Sequence, residues 1–334
     1  MSDSIERRTV VGRAPVRVDF GGGWTDVPPY TEREGGAVCS VAITRYATAT
    51  AAWDEHTARR AGADSPTDHA LTAAALRRSG ARGAVAHVTG DFPAGAGLGG
   101  SSACGVALAG ALATLRGDHL APNELAALSR ATEVEELGVA GGYQDHYAAA
   151  YGGALLLGFA ECASVEMLAM PERSAEDLVH RSVLLYTGES RLSARTIDAV
   201  RDAYLAGDPR TVAALARIKH LAGEMATALR AGDVDALGRL VGEHWVHQRA
   251  LHPTITTPRI DAIVEAAARA GALGVKALGA SGGGCVVAIA ANGREDELAL
   301  AITPLGERLD FDIDWDGFQV VAVLDERHDD EHAP

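Results

Sequence analysis

The stretch from Pro93 to Ala103, PAGAGLGGSSA, combines a glycine-rich turn with two hydroxyls and is the first candidate for chemistry. A glycine-rich turn that opens a helix gathers backbone N–H groups at the positive end of the helix dipole, which favours an anion. Ser101 and Ser102 add hydroxyls that can bond to a phosphate or complete the shell of a hard cation. The stretch therefore predicts phosphate binding.

Two known phosphate motifs fit this loop only in part. Gly95, Gly97 and Gly100 match G-x-G-x-x-G, but a dinucleotide site also needs an acidic residue at the end of the next strand, and the chain around Asp118 is a polar loop. A P-loop needs Lys after its last glycine, where this chain has Ser101. The structural alternative is a tight turn whose glycines serve geometry only.

A second candidate stretch, Phe20 to Tyr30 (FGGGWTDVPPY), suits a polyhydroxylated ligand. Consecutive glycines let the backbone approach a ligand closely, the Trp offers a stacking face, and the Thr and Asp offer polar groups for hydroxyls. The residues concerned are Gly22, Gly23, Trp24, Thr25 and Asp26. An ordinary Gly/Pro connection with an exposed Trp is the alternative interpretation.

A third stretch, Gly138 to Gly153, carries Asp145 between a glycine turn and an apolar helical segment. Two interpretations stay open for Asp145: a structural carboxylate at a helix start, or a base that accepts a hydroxyl proton during phosphoryl transfer. Glu133 lies in a charged cluster of a kind that is usually a solvated helix face. His146 fits packing or the surface better than metal binding, because no second ligand lies at a telling spacing.

These residues need a frame of alternating strands and helices. Arg17 and Asp19 fall on one face of a β-rich stretch that begins at Thr9, where a charge is unfavourable unless it is paired or functional. A second glycine turn, Gly279 to Gly284, precedes a strand, and the terminal DERHDDEHAP predicts a disordered acidic tail. The periodicity predicts strands at Ala37–Ala52, Ala84–Val88, Ala154–Phe159 and Arg181–Tyr186, and helices at Ala70–Ser79, Ser102–Leu115, Pro122–Leu137, Ala194–Ala206, Pro209–Arg230, Val234–Leu251 and Thr257–Ala270.

Length and composition set the class of protein. A chain of 334 residues with 47% hydrophobic content suits two globular domains. A formal net charge of −15 argues against nucleic acid and anionic membranes as partners. The first residues lack an apolar signal region, and no run is long enough to span a membrane. The widely spaced cysteines indicate reduced thiols and a cytoplasmic location; they are Cys39, Cys104, Cys162 and Cys285.

Three separated motifs, RAPVRVDFGGGWTD, PAGAGLGGSSA and GASGGGC, resemble those of the GHMP small-molecule kinases. The resemblance runs from about Arg13 to Ala290. Within that superfamily, GGGWTDVPPY, GGYQDHYAAAYGG, YTGESRLS and GALGVKALGASGGGC are similar to the D-glycero-D-manno-heptose 7-phosphate kinases, and fucokinase domains share the GGWTDVPPY style.

The resemblance implies a two-domain α+β fold. The N-terminal domain, residues 1–165, would be like ribosomal protein S5 domain 2 and would bind ATP. The C-terminal domain, residues 166–334, would be ferredoxin-like with added helices, and the sugar would lie between the two domains.

The resemblance also implies a role for each candidate. Asp145 would be the catalytic base, and Arg17 would hold it ionised and oriented towards the acceptor hydroxyl. Ser102 and Glu133 would coordinate Mg²⁺. The nucleotide would be held by Pro93, Gly95, Gly97, Leu98, Gly99, Gly100, Ser101 and Ser102. The sugar would be held by Gly22, Gly23, Trp24, Thr25, Asp26, Tyr143, Arg191, Ser281, Gly282 and Gly283.

The chain departs from the pattern at several positions. Tyr143 stands where heptose kinases commonly carry Lys, and His146 stands where they carry Gln. Motif three has Ser281 and Cys285 where Gly and an aromatic residue are usual. If that Lys neutralises a distal phosphate of the substrate, its absence puts a 7-phosphate acceptor in question. Arg191 and Lys276 remain as candidate phosphate contacts.

The sequence therefore predicts an ATP- and Mg²⁺-dependent kinase that phosphorylates the anomeric hydroxyl of a heptose 7-phosphate or a similar long-chain sugar phosphate. The alternatives are an L-fucose- or galactose-type anomeric kinase acting on a neutral sugar, and a non-catalytic sugar and nucleotide sensor. A sensor needs neither the base Asp145 nor the metal ligands Ser102 and Glu133. The chain is expected to act as a monomer or homodimer.

Overall fold

Two antiparallel sheets with helices packed against them make up the fold, as described by a computed structural model. The structure describes residues 7–53, 69–139, 141–160, 162–189 and 194–326. Within these ranges, none of the helices has the length and apolarity needed to cross a bilayer.

The first sheet is built on two long strands, β1 (Arg7–Gly21) and β2 (Gly36–Ala52), which pair along most of their length. Their alternating apolar residues are buried, as expected for the central strands of a sheet. The far side of β2 pairs with β3 (Val85–Gly90) at one end and with β4 (Ala154–Phe159) at the other. The sheet is completed by β5 (Ala163–Met167), which pairs with β4, and by β10 (Gln319–Glu326), which pairs with β1.

The described residues of this part of the chain form five helices: α1 (Tyr30–Glu34), α2 (His69–Ser79), α3 (Gly100–Leu115), α4 (Pro122–Ala131) and α5 (Gln144–Tyr151). Helix α3 is buried almost throughout because its small residues let it lie flat on β1 and β2. The predicted helix Pro122–Leu137 is confirmed as one continuous helical segment, but within it Thr132–Glu136 widens into a π-helical turn. A single π-helical turn has no periodicity that a sequence would reveal.

The second sheet has four strands in the order β7-β8-β6-β9, all antiparallel. They are β6 (Ser182–Tyr186), β7 (Ala272–Ala277), β8 (Cys285–Ala290) and β9 (Glu307–Arg308). The helices are α6 (Glu172–Arg181), α7 (Ala194–Leu205), α8 (Pro209–Ala231), α9 (Val234–Ala250), α10 (Pro258–Arg269) and α11 (Glu295–Ile302). Short 3₁₀ turns lie at Pro253–Ile255 and Thr303–Leu305.

The two sheets share one interior. Helix α8 packs against β2, β4 and β1, and its Met225 lies in the same apolar cluster as Phe20 of β1. The last strand, β10, returns to the first sheet, although the sequence predicts a disordered tail from Asp325 onwards. Asp325 and Glu326 belong to β10, so the expectation is wrong for those two residues, and 327–334 lie outside the described residues. The domain boundary at residue 165 stays a prediction.

Candidate active site

The glycine-rich loop between β3 and α3 lines a cavity of about 510 Å³. Glu133 and Asp145 also face this cavity, from the π-helical turn and from α5. The loop contributes all the residues predicted to hold a nucleotide: Pro93, Gly95, Gly97, Leu98, Gly99, Gly100, Ser101 and Ser102. The structure therefore brings the predicted phosphate loop, metal ligand and base to one cleft.

The loop can take this shape only because three of its residues are glycines with positive φ. Gly95, Gly97 and Gly99 have φ of 69°, 73° and 76°. A Cβ at Gly97 would lie 2.8 Å from the carbonyl oxygen of Leu278, and one at Gly99 would lie 3.0 Å from Cγ of Asp145. The loop thus presses against the second glycine turn on one side and against Asp145 on the other, and α3 begins directly after it with free N–H groups.

Arg17 fixes Asp145 relative to this loop. Its Nε and Nη2 donate to Oδ1 of Asp145 at 2.9 and 2.7 Å, and its Nη1 donates to the carbonyl oxygen of Gly97 at 2.7 Å. Arg17 is 3% exposed, so the guanidinium makes these bonds away from competing water. Oδ2 of Asp145 has no hydrogen-bond partner among the described residues, which leaves it available to a ligand.

A second cavity, of about 190 Å³, adjoins the first and shares with it Gly97, Gly99, Gly141, Gly142 and Asp145. We call it the acceptor cavity. Its acidic and polar side chains come from the N-terminal half of the chain, and Ile197, Gly279 and Ala280 close it from the C-terminal half. Three buried polar atoms on its walls have no partner in the described structure: Oδ1 of Asp19, Nε1 of Trp24 and Oε1 of Gln144. Such atoms suit the hydroxyls of a sugar.

Asp26 links the Phe20–Tyr30 stretch, which is predicted to bind a sugar, to helix α5, which carries Asp145. Its Oδ2 accepts hydrogen bonds from the backbone N–H groups of Tyr143 and Gln144 at 2.9 and 3.0 Å, where α5 begins. Burial raises the pKa of Asp26 to about 6, and the nearby charges of Asp145 and Asp19 add to this, whereas the two backbone bonds oppose it. Asp26 therefore both caps α5 and lines the acceptor cavity.

Asp19 and Lys276 form a buried ion pair between β1 and β7. Lys276 is 0% exposed, and its Nζ lies 3.2 Å from Oδ2 of Asp19 and donates to the backbone oxygen of Asp19 at 2.6 Å. Burial alone would raise the pKa of Asp19, but the charges of Lys276 and Arg17 hold it below its usual value. The geometry does not support Lys276 as a contact for a substrate phosphate, because Asp19 occupies it.

His244 of helix α9 holds the backbone of the Phe20–Tyr30 stretch at Gly22. Burial lowers its pKa to about 3, so the imidazole is neutral and its Nε2 accepts a hydrogen bond from the backbone N–H of Gly22 at 3.1 Å. His244 therefore has a structural role in the core.

An oxygen-rich group lies at the start of α3. Oγ of Ser102 donates to Oε2 of Glu133 at 3.3 Å, and Ser101 donates to the other carboxylate oxygen. Nε2 of His146 lies 3.1 Å from Oε2 of Glu133, and its Nδ1 lies 2.9 Å from Oγ of Ser129. Burial alone would raise the pKa of Glu133, but hydrogen bonds from His146, Ser101 and Ser102 lower it below its usual value.

Hydroxyl and carboxylate oxygens are the donors that Mg²⁺ prefers, so Ser102 and Glu133 would suit this ion. No group of three His, Cys, Asp or Glu side chains in the described part of the chain forms a metal site on its own. His146 is buried beside Glu133, and no feature of the sequence pointed to that contact.

Several predicted sugar-binding residues lie behind the acceptor cavity. Gly23, Trp24 and Asp26 line it, but Thr25 is 0% exposed and its hydroxyl donates to the carbonyl oxygen of Gly22 at 2.7 Å. In the second glycine turn, Gly279 and Ala280 form the wall. The three residues that follow pack into the C-terminal half: Ser281 accepts from Gln248, Gly282 donates to Ile255, and Gly283 abuts Glu189. Arg191 lies outside the described residues.

Sequence reasoning missed Gln144 and did not place Asp19 in the cavity wall. The one signal for Asp19 was its charge on the same strand face as Arg17. Nothing in the sequence marked Gln144, because a glutamine next to an aspartate is as common on an exposed helix surface as it is in a binding site.

Comparisons with known proteins identify the family of the chain. Family models match the chain as GHMP kinases N terminal domain over residues 68–153 and as GHMP kinases C terminal over residues 225–303. The chain is 32% identical over 200 residues to a D-glycero-alpha-D-manno-heptose 7-phosphate kinase of Campylobacter jejuni, which covers 59% of this chain and 58% of that protein. It is 29% identical to an L-fucokinase/L-fucose-1-P guanylyltransferase of Bacteroides fragilis, over 86% of this chain and 35% of that protein.

Among solved structures, the chain superposes with a TM-score of 0.72 on a D-glycero-D-manno-heptose 1-phosphate kinase from Bacteriodes thetaiotaomicron, at 24% identity, covering 95% of this chain and 99% of that one. The likeness confirms the predicted two-domain α+β fold. The chain spans little more than half the length of the Campylobacter relative and about a third of the Bacteroides one.

Proposed function

Because the chain belongs to the GHMP kinase superfamily, we propose that it is an ATP-dependent sugar kinase that phosphorylates the anomeric hydroxyl. The proposed acceptor is a heptose 7-phosphate or a similar long-chain sugar phosphate. A cytoplasmic location and a monomeric or homodimeric state stay predictions.

One observation carries the proposal: the glycine-loop cavity and the acceptor cavity meet at Asp145. Phosphoryl transfer needs a donor and an acceptor side by side, with the attacking oxygen in line with the bond that breaks. A triphosphate on the loop and a sugar hydroxyl in the acceptor cavity would face each other across Gly97 and Gly99.

The chemistry follows from the free oxygen of Asp145. The anomeric oxygen attacks the γ-phosphorus, its proton passes to Oδ2 of Asp145, and the bond to the β–γ bridging oxygen breaks to release ADP. Arg17 keeps Oδ1 engaged, so Oδ2 is the oxygen that is left to the acceptor. Helix α3 presents N–H groups to the phosphates, which stabilises their charge without any reorganisation.

Ser102 and Glu133 would hold Mg²⁺, which supplies positive charge against the triphosphate when bound. The buried imidazole of His146 orients the Glu133 carboxylate towards the loop.

The acidic walls favour a sugar over a carboxylate-bearing acceptor. Mevalonate kinases, such as that of Pyrococcus furiosus at 32% identity over 66% of this chain, act by name on an acid. Asp19, Asp26 and Asp145 all line the acceptor cavity, and the cations that touch them, Arg17 and Lys276, are already paired. A carboxylate placed there would meet like charges, whereas sugar hydroxyls would donate to them.

A neutral-sugar anomeric kinase is the second candidate. The fucokinase-containing relatives align over 86% and 92% of this chain, more than the heptose kinase of Campylobacter jejuni does. The cavity volume of about 190 Å³ is close to what a single sugar ring fills.

A coupled ADP-release assay with a panel of sugars and sugar phosphates tests the proposal, and ³¹P NMR of the products identifies the phosphorylated carbon. We expect turnover of a heptose 7-phosphate at C1 and its loss in Asp145→Ala. Faster turnover of neutral fucose or galactose would replace the first candidate by the second. Sugar and nucleotide binding without turnover of any acceptor would leave the sensor interpretation in place of both.

A further inference from the structure

A third cavity, of about 390 Å³, continues the acceptor cavity away from Asp145. The two share Val27, Gly141 and Ile197 as a common wall. An acceptor longer than the ring that fills the first cavity would extend into this one. We call it the distal cavity.

Two arginines of the described part of the chain line the distal cavity, and their partners differ. Arg201 lies 2.8 Å from Asp198 and 3.2 Å from Asp202, so its charge is already matched. Arg130 on α4 has no carboxylate partner in the part of the chain that the structure describes, and its buried Nε has no hydrogen-bond partner there. Among the described residues that line this cavity, Arg130 is therefore the unmatched cation.

The ring of Tyr143 holds Arg130 in place. The guanidinium carbon lies 3.6 Å from the centroid of that ring, the geometry of a stacked cation–π contact. The ring in turn packs on Phe159, with centroids 5.1 Å apart, and the backbone N–H of Tyr143 donates to Asp26. A guanidinium stacked by its face leaves its N–H edge free, and that planar fork fits a phosphate.

We propose that Arg130, stacked on Tyr143, binds a phosphate group at the distal end of the acceptor. The inference rests on the proposed function and deepens it, because it names the group that distinguishes a sugar phosphate from a neutral sugar.

The charges of the two cavities would also set the orientation of the acceptor. Asp26, which has no cation partner among the described residues, repels a phosphate from the acceptor cavity, and Arg130 attracts it to the distal one. A sugar phosphate would thus enter with its anomeric hydroxyl towards Asp145 and its phosphate away from it.

Arg130→Met tests the proposal, because it keeps the length of the side chain and removes its charge and fork. The assay compares a heptose 7-phosphate with the same heptose lacking the phosphate. We expect the KM for the heptose 7-phosphate to rise on the order of 10- to 100-fold, the value of lost hydrogen bonds to a charged group. The KM values for the neutral heptose and for ATP should stay unchanged.

Arg269→Met is the matched control, since Arg269 is exposed and its one ion-pair partner among the described residues is Glu265 on its own helix. It should leave every KM unchanged. Arg130→Lys keeps a charge without the fork and should fall between wild type and Arg130→Met. Equal changes for both acceptors in Arg130→Met, or no change for either, would overturn the inference.

A binding measurement tests this inference independently of the proposed function. Isothermal titration of wild type and Arg130→Met with heptose 7-phosphate measures the phosphate contact without turnover. If wild type phosphorylates no sugar but binds the sugar phosphate at least 10-fold more tightly than Arg130→Met, on the scale of one charged contact, the proposed function fails and the inference stands. Equal affinities, or no binding by either protein, would overturn the inference.

Discussion

Arg17 binds Asp145 through a single carboxylate oxygen. Its Nε and Nη2 both donate to Oδ1, at 2.9 and 2.7 Å, while its Nη1 donates to the carbonyl oxygen of Gly97 at 2.7 Å. The guanidinium thus joins Asp145, which lies 128 residues away in the chain, to Gly97, which lies 80 residues away. One buried side chain thus sets the distance between the proposed base and the proposed phosphate loop.

Arg17→Lys should lower kcat while the fold is retained. An ammonium can neutralise Asp145, but it cannot reach Oδ1 with two donors and Gly97 with a third in one plane. A displacement of the base by about 1 Å costs on the order of 10²-fold in rate. Initial rates at saturating ATP and sugar measure this, with thermal unfolding as the check on folding. An unchanged kcat would show that the arginine fork does not position Asp145.

Gly99→Ala should impair catalysis more than it impairs stability. The new Cβ would lie 3.0 Å from Cγ of Asp145, and Gly99 has a φ of 76°. Gly117→Ala is the matched control, because Gly117 also has positive φ, 87°, yet a Cβ there meets nothing within 4 Å. Both variants should lose about 1–2 kcal/mol from left-handed backbone strain. Only Gly99→Ala should also lower kcat/KM, and an equal loss of activity in both would contradict the contact.

Lys276→Met should destabilise the protein by about 3–5 kcal/mol, because it leaves the buried Asp19 carboxylate without its cation. Asp19→Asn in the same chain removes that charge as well. The double variant should therefore lose less free energy of unfolding than the sum of the two single variants. Urea denaturation of all four proteins gives the coupling. Strict additivity would mean that the ion pair contributes nothing to the contact between β1 and β7.

Asp26 should make stability depend on pH in the acid range. Its pKa in the fold is about 6, above the value of 3.8 for an unperturbed Asp, so the folded state binds the proton more tightly than the unfolded chain does. The stability contributed by protonated Asp26 is therefore complete below about pH 4 and lost as the pH rises to about 6.

Asp26→Asn keeps an oxygen for the N–H groups of α5 and removes the titration. Relative to this variant, the wild type should lose about 3 kcal/mol of unfolding free energy as the pH rises from about 4 to about 7. Urea titrations of both proteins across that range measure the difference. A difference that does not change with pH, or one that grows in favour of the wild type, would refute the assignment.

The sequence by itself predicted most of the helices and strands, and the glycine-rich loop before α3. Glycines that need positive φ, hydroxyls at a helix start and an alanine-rich apolar run are local features, and local features predict local structure: the residues from Pro93 to Ser102 all line one cavity. The family motifs predicted the fold for the same reason, since each motif is a short, contiguous pattern.

Only the tertiary structure decided which distant groups pair. Asp19 required a partner, but nothing in the chain said that it would be Lys276, which the sequence offered as a phosphate contact. Tyr143 suggested a missing cation, and the fold places Arg130 of another helix over its ring at 3.6 Å. The π-helical turn that brings Glu133 to His146 was equally hidden. Pairing energies depend on distance and burial, and those are set by how the sheets and helices pack rather than by the spacing of residues along the chain.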